Sequence, residues 1–134
     1  ALKMITDLER IGDQAVDIAE MSVYIKDKKQ VFNLTHILEM GDNASKMVTE
    51  AIDAFVKSDI EVAKKVARQD DIVDELFNRS KNETVELIHK NKELGSDALD
   101  IVMIAKYLER IADHAVNVAE WVAFSITGSC DLSD

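Results

Sequence analysis

Residues 8–20 read LERIGDQAVDIAE and residues 108–120 read LERIADHAVNVAE. Nine of the thirteen positions are identical at a constant offset of 100 residues. A repeat of that period marks one supersecondary unit used twice, in which neither copy buries its apolar side alone. The 134 residues have room for one complete copy, at 33–127. Residues 1–27 are then the final helix of a preceding, truncated copy, and residues 128–134 a polar tail. The opening Ala1-Leu2-Lys3 already lies inside a helical pattern without a capping residue. Roughly 60–80 further residues are expected upstream if unit lengths match.

The chain contains no proline and four glycines, with 47% apolar and 31% charged residues. That mixture suits helices with one dry stripe and one wet face, and it gives no sustained period-2 alternation. The fold class is all-α, a three-helix bundle preceded by one extra helix. The first helix spans about 1–27, with Leu2, Ile5, Val16, Ala19 and Val23 along one side, and stops at the charged turn Lys26-Asp27-Lys28-Lys29. The second spans about 34–57, with Leu34, Ile37, Gly41, Ala44, Val48, Ala51 and Phe55 at steps of three or four. Ser58 and Glu61 form a capping box for the third, which runs to about Lys92. Gly95 breaks the chain and Ser96 caps the fourth, which runs to about Ile126. Short loops make neighbouring helices antiparallel.

A net charge of −10 repels phosphate backbones, so a nucleic-acid partner is not expected. No uncharged run approaches the ~18 residues of a membrane span, and no signal peptide is visible. The cytoplasm is the expected location, with any membrane association peripheral and through partners. The single Cys130 lies in the tail and excludes an internal disulfide.

The chemistry begins on the third helix. At about 100° per residue, Ala63, Val66, Phe77, Thr84 and Ile88 fall within about 40° of Asp70, which places Asp70 in the apolar arc, with Asp74 one turn on. A carboxylate there needs a cation, a basic side chain or a proton. The fourth helix offers no obvious inward Arg or Lys and more acid. Glu109 and Asp113 share a face, with Glu120 on the same line and Asn117 beside it. The first helix repeats the set as Glu9, Asp13 and Glu20, with Asp17 in place of the asparagine. Acid pairs brought together from neighbouring helices would repel, and a multivalent cation would relieve them, with hard oxygen ligands suiting Mg²⁺, Mn²⁺, Ca²⁺ or iron. The bland alternative is that Glu109 and Asp113 salt-bridge to Lys or Arg on neighbouring helices.

Other residues carry less. Glu86-x-x-His89 has di-iron spacing but occurs once, where such sites need two, and points away from Asp70. His114 projects with Ile111, Val118 and Trp121 on a second apolar face, matched on the first helix by Ile11, Ile18 and Ile25. A helix apolar on two faces is buried on both, so these seven residues are expected where the two repeat helices pack together. Met4, Met21, Met40, Met47 and Met103 are expected core filler. No nucleophile–base arrangement and no glycine-rich phosphate loop is legible, so no catalytic residue is assigned.

The repeated L-E-R-I-[GA]-D-x-A-V-x-[IV]-A-E resembles the signature of the PhoU family, and Asp70-Asp71-Ile72-Val73-Asp74-Glu75-Leu76-Phe77 looks like its other acidic motif. The match covers nearly the whole chain in the expected order. The resemblance implies two three-helix, spectrin-repeat-like bundles related by pseudo-twofold symmetry. It also implies bound metal, as iron or zinc clusters or Mg or Mn. The implied role is non-enzymatic regulation of phosphate transport and phosphate-starvation signalling, through contact with a phosphate ABC transporter and a sensor histidine kinase. By resemblance, Asp70, Asp74, Glu109 and Asp113 are ligands of the complete repeat. Glu9 and Asp13 are then half of another site, and Asn117, Glu120, Glu20 and Asp17 are weaker candidates. Two other readings remain: a PhoU-like domain of a membrane phosphate transporter, and a carboxylate-bridged metalloenzyme or metal store. A homodimer is expected, because the first helix exposes an apolar face.

Overall fold

A computed structural model describes residues 2–129 and 131–132, with the side chains of Leu2 and Leu34 outside the description. Cys130 and the opening Ala1 also lie outside the described residues. The described chain forms five α-helices: α1 (Leu2–Ser22), α2 (Lys28–Leu34), α3 (Ile37–Lys57), α4 (Ile60–Lys90) and α5 (Gly95–Thr127). A 3₁₀ turn, Lys92–Leu94, joins α4 to α5. None of these helices is long and apolar enough to cross a membrane.

The tight connections on either side of α4 make α3, α4 and α5 antiparallel in sequence order, and the three pack mutually. The α1 helix packs on α5 alone among the long helices, also antiparallel. Asp7 near its start meets His114 and Asn117, whereas the backbone just past its end meets Asp97. Between α1 and α3 lies an open apolar groove over α5, lined at one end by Met4, Leu8, Ile52, Phe55, Val56 and Val118. The core is built from narrow side chains. Ala112, Ala115, Ala119 and Ala123 on α5 are fully or almost fully buried, which lets its neighbours approach closely, and Met40, Met47, Val66 and Val73 fill the space. Complete burial of each of these larger side chains contributes about 1.5–3 kcal/mol.

Several expected boundaries shift. The first helix ends at Ser22, five residues early, and α2 occupies the stretch expected to be a turn. The Asp27 carboxylate explains it, accepting from the backbone N–H of Gln30 at 3.1 Å as the cap of α2. Ser58 does not cap α4. It closes α3 in a left-handed conformation, φ 52°, with its N–H on the last carbonyls of α3. The α4 cap is Asp59, which accepts from Glu61 and Val62. The third helix stops at Lys90 rather than Lys92, because Asn91 turns extended and caps the 3₁₀ turn. Gly95 is helical rather than a break, with φ −55°, and α5 starts there without a side-chain cap, so Ser96 is not its N-cap.

Faces shift too. On α3 the buried line is Ile37, Met40, Ala44, Met47, Ala51 and Ala54. Gly41 and Val48 lie beside it, and Phe55 is exposed. Of the methionines expected inside, Met4, Met40 and Met47 are buried, Met21 is half-buried and Met103 is exposed. The α1 stripe of Ile5, Val16, Ala19 and Val23 is exposed, Val23 to 73%. One hundred residues on, Ala105, Ala119 and Ala123 are buried, and Val116 is half-buried. The same face is thus covered on α5 and open on α1.

Candidate functional site

The α4–α5 seam gathers the acids. The buried line of α4 runs through Val66, Gln69, Val73, Leu76, Ser80, Thr84 and Leu87. Asp70 therefore stands on the flank of that line, half-buried, rather than in its middle, and Ile88 on the same arc is exposed. Asp74 and Asp113 are exposed and Glu109 is half-buried. The antiparallel pairing brings Asp70 towards Asp113 and Asp74 towards Glu109. Burial, then the charges of Asp74, Asp113, Asp71 and Glu109, push the Asp70 carboxyl up to about 6. Asp74 is raised by burial and by Glu109 and Asp71, with Lys106 opposing. Asp113 is raised by burial, Glu109 and Asp74, with Lys106 and His114 opposing.

Lys106 corrects the expectation that α5 offers no basic residue here. Its Nζ is 2.7 Å from Glu109 Oε1 on the same helix and 5.4 Å from the centre of the Phe77 ring. It acts on the Asp74, Glu109 and Asp113 side of the seam. Asp70 receives no such relief, and its Oδ1 is buried without a hydrogen-bond partner. Among the described residues, no three His, Cys, Asp or Glu side chains converge tightly enough to enclose an ion as they stand. The donor chemistry nevertheless fits a hard cation: four carboxylates, three with raised proton affinity, and one orphaned oxygen.

The remaining candidates divide. Glu9, Asp13 and Glu20 are exposed on α1, and Asp17 is half-buried. Glu120 is half-buried on α5. Asn117 turns away from the acids and donates from Nδ2 to Asp7 Oδ1 at 3.2 Å. Glu86 and His89 are exposed. Of the seven residues expected between the repeat helices, Ile25, Ile111 and Val118 are buried, and Ile11, Ile18, His114 and Trp121 are half-buried. His114 Nδ1 lies 2.8 Å from Asp7 Oδ1.

Two carboxylates escaped the sequence reading. Asp7, 7% exposed, accepts from His114 and Asn117. Asp97, 4% exposed, accepts from the backbone N–H groups of Lys26 and Asp27 at 3.0 and 2.9 Å. Both were findable by the angular argument applied to Asp70. Asp7 falls within about 40° of Ile11, Ile18 and Ile25, and Asp97 opens the run Asp97, Ile101, Ile104, Leu108.

The pattern that defines the PhoU domain matches residues 37–122, from the first turn of α3 almost to the end of α5. The chain belongs to the PhoU family. It is 36% identical over 134 residues to a phosphate-specific transport system accessory protein PhoU homolog of Clostridium acetobutylicum, covering 99% of this chain and 61% of that protein. It is 36% identical over 128 residues to the first such homolog of Thermotoga maritima, covering 95% of this chain and 55% of that protein. The crystal structure of PhoU from Pseudomonas aeruginosa superposes with a TM-score of 0.83 at 33% identity, over 95% of this chain and 61% of that one. The all-α bundle is thus that of PhoU. The chain spans about three fifths of the length of these relatives.

Proposed function

We propose that this chain is part of a non-enzymatic PhoU regulator of phosphate transport and phosphate-starvation signalling. It acts in the cytoplasm by contact with a phosphate ABC transporter and a sensor histidine kinase. The phosphate-transport half of this reading is supported by relatives named accessory proteins of the phosphate-specific transport system. The signalling partners follow from the resemblance alone. The non-enzymatic part of the reading is supported by the PhoU family to which the chain belongs and by relatives named accessory proteins.

The seam of α4 and α5 is proposed as a metal-binding element, with Asp70, Asp74, Glu109 and Asp113 as the residues that would hold the ion. The observation that carries this is the Asp70 carboxyl, pushed to about 6 among like charges with its buried Oδ1 unpartnered. A bound cation would supply the positive charge that the four acids lack and fix α4 against α5. The α1 helix is proposed as the last helix of a second such unit, with Glu9 and Asp13 as part of its acidic site. Its open apolar stripe, covered at the equivalent positions of α5, supports that assignment. Elemental analysis of the purified chain and of Asp70→Asn and Glu109→Gln variants tests the ligand set. Stoichiometric metal lost in both variants is expected, and unchanged metal content in both would remove the assignment.

A further inference from the structure

We propose that Lys106 is a built-in counter-ion of the α4–α5 acids, and that a divalent cation binds them only by displacing its ammonium. This rests on the metal reading of the seam and concerns what sets the affinity there. Lys106 Nζ donates to Glu109 Oε1 at 2.7 Å, a charge-assisted bond to a carboxylate whose side chain is 18% exposed. A helix-surface pair three residues apart would concern Glu109 alone. The charge of Lys106 also opposes the rise in proton affinity of Asp113 and, across the seam on α4, of Asp74. It is not among the charges acting on Asp70. One ammonium thus stands among four carboxylates and acts on three of them.

The lysine is placed to leave. Its side chain is 45% exposed, and its Nζ lies 5.4 Å from the centre of the Phe77 ring. The flexible four-carbon stem lets the head turn from Glu109 towards water, with the ring face as a second resting place. Two positive charges do not share the Glu109 oxygen, because the ammonium repels a divalent ion beside it. The acids are therefore competent for a cation only in the fraction of molecules in which Lys106 has moved away, and their apparent affinity is reduced by that fraction. The ion pair makes the seam a threshold device, held by the lysine at low cation concentration and yielded once the divalent ion outcompetes it. The repeat supplies a contrast. Thr6 stands 100 residues before Lys106, three residues ahead of Glu9 as Lys106 is ahead of Glu109. The Glu9 and Asp13 set has no lysine at this position, so the competition belongs to the second copy.

Calorimetric titration with MnCl₂ at pH 7 tests the proposal on the parent chain and on Lys106→Met, Lys106→Gln and Lys106→Arg. Lys106→Met keeps an unbranched stem beside Phe77 and removes the charge, and Lys106→Gln removes the charge with a polar head. Both should bind Mn²⁺ at least about tenfold more tightly than the parent. Lys106→Arg keeps the charge and should bind no more tightly than the parent. A residue that only supports the fold would weaken metal binding when replaced, so the direction of the change separates the two roles. Mn²⁺ bound equally or more weakly by both neutral variants than by the parent would overturn the role of Lys106 and leave the metal reading standing. No Mn²⁺ binding by the parent or by either neutral variant would remove both.

Discussion

The Asp7 carboxylate meets the His114 ring nitrogen at 2.8 Å across the contact between α1 and α5, and the same oxygen accepts from Asn117. Asp7 is almost completely buried in this interface. Removing the acceptor leaves two half-buried donors without this partner, at about 1 kcal/mol or somewhat more. Asp7→Ala should therefore lower Tm by several degrees, whereas Glu20→Ala on the exposed face of the same helix should change stability by less than about 0.5 kcal/mol. A cycle with His114→Ala should return a coupling energy of about 1 kcal/mol or more. Simple additivity would show that the contact contributes nothing.

The seam acids dictate a pH dependence of unusual sign. Asp70 is raised in the folded chain from 3.8 to about 6, and Asp74 and Asp113 are raised as well. The folded state then binds more protons than the unfolded state between about pH 4 and 6. Stability contributed by these groups is present below that window and lost as pH rises through it. After solvent screening of a half-buried site is allowed for, the loss from Asp70 is about 1–2 kcal/mol. Metal-free protein should melt lower at pH 7 than this group would allow when protonated, and Asp70→Asn should raise Tm at pH 7 with no gain at pH 4. Added Mn²⁺ or Mg²⁺ should stabilise the parent chain at pH 7, with little effect at pH 4 or in Asp70→Asn. Equal stabilisation of parent and variant by the ion would place its binding elsewhere.

The offset repeat made the architecture legible, because LERI(G/A)D recurring 100 residues apart fixes two equivalent helices before any contact is known. The angular argument located Asp70 near the core but misjudged its depth. Of the residues placed on its arc, Ala63, Val66 and Thr84 are buried, Phe77 is half-buried and Ile88 is exposed, so the buried line runs beside Asp70 rather than through it. Caps were misread where two candidates adjoin. Ser58 and Asp59 are both good N-caps, and the left-handed turn at Ser58 decides between them. The α2 helix was hidden because its seven residues are too few to show a period, and its existence depends on Val31 being wholly buried and on the Asp27 cap. Lys106 was missed because a lysine three residues before Glu109 reads as solvent-facing until Phe77 is known to lie beneath it.

Asp97 supplies another test, because it is the link between the α1–α2 connection and the start of α5. Its two oxygens satisfy two backbone N–H groups that no helix provides for. Asp97→Ala should lower stability by about 1–3 kcal/mol and, more diagnostically, speed hydrogen exchange at the Lys26 and Asp27 amides relative to the α4 core. Asp97→Asn keeps one acceptor oxygen and should give an intermediate result. Unchanged exchange at those two amides in Asp97→Ala would show that the connection is held by Ile25 and Val31 packing alone.

The open stripe of α1 leads to the last expectation. Ile5, Val16 and Val23 are exposed to 50%, 56% and 73%, and they continue into the groove walled by Met4 and Leu8. A contiguous apolar face of this kind is covered by association when no helix of the same molecule reaches it. Light scattering should therefore report a dimer of the chain at high concentration that dissociates on dilution. Val16→Glu places a charge in the middle of the stripe without touching α5. It should yield a monomer whose Tm, extrapolated to low concentration, matches that of the parent within the effect of a surface substitution. A parent chain that stays monomeric at every concentration would mean that the stripe is insufficient to hold two copies together.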